Sequence, residues 1–154
     1  GNNNDRKKIS ELLSNKKYVT IVKSVYNASI DIGEGCILAP GSVIQNNVII
    51  GNHVIINTSA SIDHDSVIES YSHIAPNSTL CGNVHIGELT LVGAGSVILP
   101  NVTIGKRCII GAGSVITKNV PDDTKVIGNT LDSLISFTTS CFGPTTPCTV
   151  FSDL

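Results

Sequence analysis

A period of six residues runs through most of this chain. Counting from Ile32 in steps of six, every position as far as Ile116 holds isoleucine, leucine or valine. The positions are Ile32, Leu38, Ile44, Ile50, Ile56, Ile62, Ile68, Ile74, Leu80, Ile86, Val92, Ile98, Ile104, Ile110 and Ile116. Four residues after each stands a small residue or a valine, from Cys36 to Val120. If about 30% of residues were aliphatic, fifteen consecutive matches would have a chance of about 10⁻⁸, so the repeat is a structural signal.

A six-residue unit of one short strand and one turn cannot bury its apolar side alone. Three such units close a triangular coil of about eighteen residues, and the coils stack through strand pairing. The aliphatic residue then points to the axis of the prism, and the small residue lies beneath a tight corner. Glycine follows the aliphatic residue in several units: Gly33, Gly51, Gly87, Gly93, Gly105 and Gly111. The pattern therefore predicts an all-β fold built of stacked coils.

This spacing resembles the repeat of the hexapeptide-repeat acyltransferases, whose fold is a left-handed parallel β-helix. The resemblance covers residues 26–129. It implies about five coils which, at about 4.8 Å per coil, form a prism about 24 Å tall. The implied handedness is opposite to that of most crossover connections between parallel strands.

A short segment before the repeat predicts a helix. Residues 5–13 carry Ile9, Leu12 and Leu13 at helical spacing, with basic residues on the other side. We expect this amphipathic N-terminal helix to lead into a strand at residues 18–22.

Charge and cysteine content exclude several classes of function. Ten Lys and Arg against twelve Asp and Glu give a net charge of −2, which lacks the basic surplus that nucleic-acid binding needs. No apolar run reaches the roughly 18 residues of a membrane span. The cysteines form no C-x-x-C pair and suit neither a disulfide framework nor a zinc ribbon: Cys36, Cys81, Cys108, Cys141 and Cys148. We expect a cytoplasmic protein that inserts into no membrane and needs no metal.

His64 is the first candidate for chemistry. It lies two residues after the inward Ile62, and therefore at a corner of the prism, between Asp63 and Asp65. A carboxylate beside an imidazole fixes its tautomer and raises its basicity, as a general base requires.

The segment around His64 resembles the sugar acetyltransferases that act on bacterial nucleotide-linked amino sugars or on sialic acid. The residues that carry the resemblance run from Asn57 to Asp65, from Tyr71 to Asn77 and from Gly82 to Val84. It implies that acetyl-CoA is the co-substrate, that His64 is the catalytic base and that Asp65 assists it.

The eighteen-residue coil places Gly82 directly above His64. With no side chain, Gly82 would expose its backbone N–H about 5 Å from the histidine, where it could stabilise an oxyanion. The same column continues through Pro100 to Lys118. Three coils separate Lys118 from His64 by about 14 Å, so coenzyme A could lie along this groove with its phosphates near Lys118. Lys106 and Arg107, on another corner, are the alternatives.

His73 follows His64 by nine residues, which is half a coil. The two histidines therefore cannot share a pocket within one prism. The resemblance implies a homotrimer with active sites between subunits. We expect His64 of one chain and His73 of its neighbour to line one pocket, with His73 contacting the acetyl group or coenzyme A.

Two Gly-Ala pairs, Gly93-Ala94 and Gly111-Ala112, belong to a stretch that resembles the end of the acyltransferase helix. In that family the backbone amides of this stretch contact the pantetheine of coenzyme A. A purely structural role of the glycines remains an alternative, since tight corners also require glycine.

The family resemblance also divides the chain into parts. Residues 1–22 are interpreted as the remnant of an N-terminal α/β domain that holds the nucleotide of the sugar, followed by the β-helix domain at 26–129 and an atypical tail at 130–154. The chain is thus expected to be the C-terminal part of a longer protein.

The sequence leads to an acetyltransferase that moves acetyl from acetyl-CoA to an amino group of a nucleotide-linked sugar. O-acetylation of a sugar or sialic acid and a non-catalytic β-helix scaffold are the alternatives. A γ-type carbonic anhydrase would need three converging histidines, and the histidine spacings do not match. Cys81 could act as an acyl-carrying nucleophile, but no base can be assigned to it.

Overall fold

The computed structural model describes residues 2–26 and 29–130. Helix α1 spans Asn3–Leu12, and strands of two residues follow it. In chain order the strands are β1 Ile21–Val22, β2 Val25–Tyr26, β3 Asp31–Ile32, β4 Ile37–Leu38, β5 Val43–Ile44, β6 Ile49–Ile50, β7 Ile55–Ile56, β8 Ser61–Ile62, β9 Val67–Ile68, β10 His73–Ile74, β11 Thr79–Leu80, β12 His85–Ile86, β13 Leu91–Val92, β14 Val97–Ile98, β15 Thr103–Ile104, β16 Ile109–Ile110, β17 Val115–Ile116 and β18 Lys125–Val126.

Every third strand pairs in parallel with the strand one coil away, which produces three sheets. Sheet A has seven strands in the order β1-β4-β7-β10-β13-β16-β18, sheet B has six in the order β2-β5-β8-β11-β14-β17, and sheet C has five in the order β3-β6-β9-β12-β15. These strands form about six turns of a left-handed β-helix, which confirms the predicted fold.

The described part of the prism is one turn taller than the predicted five. The additional strands β1 and β18 join the two ends of sheet A, where the register is sixteen residues, pairing Ile21 with Ile37 and Ile109 with Lys125. A count in steps of six misses the pairing of these two strands. The ladder therefore begins before residue 26, because the strand predicted at residues 18–22 belongs to the β-helix.

The core of the prism is the aliphatic column. From Leu38 to Val126 its members are buried, and the column of small residues is buried as well. Hydroxyl groups in the small column donate to the carbonyl oxygen fifteen residues later. Ser72 Oγ lies 2.9 Å from Gly87 O, and Ser96 Oγ lies 2.8 Å from Gly111 O. Five hydroxyls of this column donate in this way and Ser42 donates to the Ala39 carbonyl, which removes most of their burial cost.

The corners explain why particular residues recur there. The third residue after each aliphatic position from Ile32 to Ile110 adopts a left-handed backbone, with φ of 58° at Asn47, 59° at Asp65 and 57° at Asn83. Asn and Asp tolerate this conformation better than most residues. An earlier corner position needs glycine for another reason: a Cβ atom on Gly93 would lie 2.5 Å from the backbone nitrogen of Ala112 in the next coil.

Helix α1 forms as predicted, but its polar side contacts the prism. Asn3 Nδ2 donates to the Leu89 carbonyl at 2.9 Å, and Arg6 Nη2 donates to the Tyr71 carbonyl at 2.6 Å. The apolar side chains face outward, since Ile9 is 55% and Leu12 is 74% exposed. The helix lies along the corner between sheets C and A. In the described part of the chain, no helix has the length and apolarity that crossing a bilayer requires.

The predicted tail at 130–154 lies outside the described residues except for Thr130. The backbone N–H of Thr130 donates to the Val115 carbonyl at 3.0 Å, so the last described residue still belongs to the ladder.

Candidate active site

His64 lies at the corner between sheets B and C, in the turn from β8 to β9. Its Nδ1 is 2.8 Å from Asp65 Oδ2. Because an ionised carboxylate only accepts hydrogen bonds, Nδ1 carries the proton and Nε2 keeps its lone pair. The side chain is 56% exposed, so the ring is accessible from solvent. The hydrogen bond to Asp65, followed by the charges of Asp65 and Asp63, raises the pKa of His64.

Asp65 has a second partner that the sequence reasoning missed. Asn47 Nδ2 donates to Asp65 Oδ1 at 3.1 Å, which leaves Oδ2 for His64. The hydrogen bonds from His64 and then from Asn47 lower the pKa of Asp65. Asn47 precedes Asp65 by eighteen residues, and this spacing could have revealed it, since residues one coil apart stack on the same corner.

Gly82 lies directly over the imidazole of His64, as the eighteen-residue spacing predicts. A Cβ atom on Gly82 would lie 2.8 Å from Cε1 and 2.9 Å from Nε2 of His64, and the N–H of Asn83 donates to the His64 carbonyl at 2.9 Å. Gly82 is buried, because the ring lies against it from below, so its amide is not exposed as expected in this conformation. Its N–H has no acceptor among the described residues.

His73 lies on the outer side of sheet A, in β10, and not at the corner of His64. The two histidines do not meet within one chain, as the half-coil separation predicts. His73 Nε2 is 3.1 Å from Asn57 Nδ2. Burial, assisted by the nearby charge of Arg6, lowers the pKa of His73 to about 4. The imidazole is therefore neutral at physiological pH.

The Gly-Ala pairs stack on the corner between sheets A and B. The N–H groups of both glycines are used by the ladder, since Gly93 donates to Ile110 at 2.8 Å and Gly111 donates to Val126 at 2.7 Å. The N–H groups of Ala94 and Ala112 have no acceptor within residues 2–26 and 29–130, and both alanines are exposed. Of the four residues, the alanines therefore have amides free for a ligand.

The basic residues differ in their pairing. Lys118 is exposed on the corner column of His64 and Gly82 and makes no ion pair with a described residue. Lys106 lies 3.8 Å from Glu69 on the corner between sheets C and A. Arg107, on that same corner, binds both carboxylate oxygens of Asp123, at 2.6 and 2.7 Å. Of the three, Lys118 is the cation without a carboxylate partner.

Cys81 is a poor candidate nucleophile. Burial and the charge of Asp63 raise the pKa of its thiol, which lowers the fraction of thiolate. A metal centre is also without a ligand set in the described ranges, where no three His, Cys, Asp or Glu side chains gather around one point.

The stacked strands of two residues and the six-residue spacing define a hexapeptide-repeat transferase. The model of this family, "Bacterial transferase hexapeptide (six repeats)", matches residues 65–100 and 83–118. Residues 65–118 of the chain thus match the hexapeptide-repeat transferase family. No curated protein sequence matches it.

Solved structures extend the similarity over most of the chain. A histidine mutant of perosamine N-acetyltransferase from Caulobacter crescentus, in complex with CoA and GDP-perosamine, is 34% identical with a TM-score of 0.81, covering 82% of this chain and 62% of that one. The acetyltransferase domain of PglB from Neisseria gonorrhoeae, in complex with acetyl coenzyme A, is 32% identical with a TM-score of 0.80, covering 82% and 64%. WeeI from Acinetobacter baumannii AYE is 33% identical with a TM-score of 0.77, covering 82% and 64%. The chain thus spans less than two thirds of the length of these relatives.

Proposed function

We propose that this protein transfers acetyl from acetyl-CoA to an amino group of a nucleotide-linked sugar. The observation that carries the proposal is the exposed His64, hydrogen-bonded through Nδ1 to Asp65 and stacked under Gly82. Similarity to structures that hold CoA and GDP-perosamine, or acetyl coenzyme A, supports the choice of co-substrate and acceptor class.

The transfer is direct and uses His64 as general base. The amine nitrogen attacks the thioester carbonyl while His64 Nε2 takes its proton, and the tetrahedral intermediate expels the thiolate of CoA, which the imidazolium then protonates. Asp65 stabilises the imidazolium, since its carboxylate already accepts from Nδ1. A positioned general base contributes about 10² to 10⁴ in rate.

The Gly82 N–H is the proposed oxyanion donor. Because the His64 ring covers Gly82, the oxyanion reaches this amide only when the ring turns aside around its side-chain torsions. A donor of this kind contributes about 10² to 10³ in rate. The free N–H of Gly82 and the close ring are two parts of one site, so base and donor act on adjacent atoms of the tetrahedral intermediate.

Coenzyme A is proposed to bind between the corner that carries Ala94 and Ala112 and the corner that carries Lys118. The free amides of Ala94 and Ala112, with Gly93 and Gly111 allowing the close approach, would bind the carbonyl groups of the pantetheine. Lys118 would bind phosphate, because it is exposed and without an ion pair among the described residues.

A homotrimer would bring these corners together. The outer faces of sheets A and B carry exposed aliphatic side chains, including Ile37 at 42% and Val43 at 40% exposure. The outer face of sheet C is mixed: it carries Asp31 and Thr103 at its ends, but also Ile49, which is 49% exposed. Burying apolar side chains of these faces against neighbouring copies would favour association. In the proposed trimer, His73 of one chain would lie beside His64 of the next.

The test combines acetyl-CoA binding by calorimetry with turnover on a nucleotide-linked 4-amino sugar, supplied in GDP and UDP forms. His64→Ala should bind acetyl-CoA like the unaltered chain but lose about 10² or more in turnover. His85→Ala is the control, because His85 is also an outward histidine but pairs with Glu69 on sheet C at 2.9 Å. Absence of acetyl-CoA binding by the unaltered chain would contradict the proposal and favour a non-catalytic β-helix scaffold. Turnover on a sugar hydroxyl in place of the amine would change the proposed reaction from N-acetylation to O-acetylation.

A further inference from the structure

Asn57 joins two groups at the corner between sheets A and B. Its Oδ1 lies 2.8 Å from the backbone nitrogen of Thr58, and its Nδ2 lies 3.1 Å from His73 Nε2. A backbone N–H can only donate, so the atom facing Thr58 must be the amide oxygen. The amide NH₂ group therefore faces His73, and the orientation of the amide is determined by this hydrogen bond.

This orientation determines the proton on His73. An NH₂ group can only donate, so Nε2 of His73 must accept, and an accepting ring nitrogen carries no proton. We propose that Asn57 is a positioning residue that holds His73 as a neutral imidazole with its proton on Nδ1. Protonation of Nε2 would set an N–H against the NH₂ group of Asn57, with two donors facing each other and no acceptor between them.

The surroundings of His73 act in the same direction. The paired strands place Ile55 and Leu91 on either side of it, and helix α1 contributes the guanidinium of Arg6. Arg6 is anchored next to His73, because its Nη2 donates to the carbonyls of Tyr71 at 2.6 Å and Ser72 at 3.2 Å. Burial, then the charge of the N-terminal amino group and then that of Arg6, lower the pKa of His73 to about 4.

The assignment gives the two histidines of the pocket opposite chemistry. His64 has its proton on the side of Asp65 and offers a lone pair at Nε2, whereas His73 offers an N–H at Nδ1, which has no partner among the described residues. Resting on the proposed function, this makes His73 a hydrogen-bond donor to a carbonyl oxygen of acetyl-CoA. It takes no proton from the acceptor amine.

The test is a long-range ¹H–¹⁵N NMR spectrum of the full chain, labelled at its histidines. His73→Gln identifies the His73 signals by their loss. We expect the unaltered chain to show the proton on Nδ1 of His73 from neutral pH down to about pH 5, consistent with a pKa of about 4. A proton on Nε2, or a charged ring at pH 6, would overturn the assignment whether or not the protein transfers acetyl.

Asn57→Asp provides the matching variant. Its carboxylate can still accept from Thr58, and it also accepts from His73, so we expect the proton to move to Nε2 and the pKa of His73 to rise by at least about one unit. Asn83→Asp is the control, since Asn83 lies on another corner and donates to Asn101. An unchanged His73 in Asn57→Asp would contradict the assignment. An Nδ1-protonated His73 in a chain without turnover would support it and contradict only the proposed function.

Discussion

The imidazole of His64 lies directly beneath Gly82, and a Cβ atom on Gly82 would lie 2.9 Å from His64 Nε2. Residue 82 is not in the left-handed region, so its backbone would accept another residue. The ring beneath it, not the chain conformation, requires glycine here. A candidate base and a candidate oxyanion donor are thus adjacent because the coil returns after eighteen residues.

Gly82→Ala is the first variant that this contact suggests. The added methyl group must push the imidazole away from its present position, while the stacked core below stays intact. We expect turnover to fall by about 10² or more, with acetyl-CoA binding and the thermal unfolding midpoint nearly unchanged. Kinetics, calorimetry and a melting curve on the same preparation check this. Turnover within a factor of two of the unaltered chain would show that the contact is irrelevant to the reaction.

Asp65→Asn tests the raised pKa of His64. The neutral ring is the base, so turnover should decline as pH falls through that raised pKa. Asparagine tolerates the left-handed conformation at this position, where φ is 59°, so the fold should persist. Without the carboxylate the pKa of His64 drops, so the inflection of the kcat profile should move to lower pH while the plateau falls about tenfold or more. An inflection at the same pH would assign the titration to another group.

Asn47→Ala tests the second partner of Asp65. Loss of its hydrogen bond should raise the pKa of Asp65 and loosen the carboxylate, so we expect a fall of about three- to tenfold in kcat with little change in KM. Asn101→Ala is the matched control. Asn101 occupies the same corner column with a similar backbone, with φ of 64° against 58°, but contacts Asn83 instead of Asp65. Equal losses of kcat in both variants would show that backbone strain, and not the lost hydrogen bond to Asp65, causes the fall.

Lys118→Ala addresses the coenzyme. If Lys118 binds a phosphate, its removal should weaken acetyl-CoA binding about tenfold, and the loss should shrink as salt rises because screening weakens the charge pair. Lys106→Ala is the control, since Lys106 already lies 3.8 Å from Glu69 on another corner. Calorimetry at two ionic strengths measures both variants. A larger loss in Lys106→Ala would move the phosphate site to the corner between sheets C and A.

The six-residue period determined most of what could be predicted from sequence. It fixes which residues stack, and so it placed Gly82 above His64 and separated His73 from both. Contacts that depend on side-chain orientation were beyond it. The hydrogen bond between Asn57 and His73 joins a corner residue to a strand residue sixteen positions later. The eighteen-residue spacing relates only residues that stack on the same corner or the same strand face, so it does not predict this bond. The count placed neither β1 nor β18 in the ladder, because their sixteen-residue register breaks the period of six.

The orientation of helix α1 was equally hidden, because its apolar pattern suggests that Ile9 and Leu12 face the protein. Corner turns, however, leave backbone carbonyls without ladder partners, and the guanidinium of Arg6 satisfies two of them, His53 at 3.2 Å and Tyr71 at 2.6 Å. It also donates at 3.2 Å to the carbonyl of Ser72, which already accepts from the ladder. Hydrogen bonds from a charged donor contribute about 1.5–3 kcal/mol each. These bonds outweigh the exposure of two aliphatic side chains.

Arg6→Ala should therefore release α1 while the prism stays folded. We expect the amides of residues 3–12 to lose most of their protection from hydrogen exchange, while the core strands keep theirs, because each coil is held by its own ladder. The pKa of His73 should rise at the same time, since a nearby positive charge and part of the burial are lost. Lys8→Ala is the control, because Lys8 is exposed on the same helix. Retained protection of α1 in Arg6→Ala would show that the remaining contacts of Asn3, Lys7 and Ser10 are enough to hold the helix.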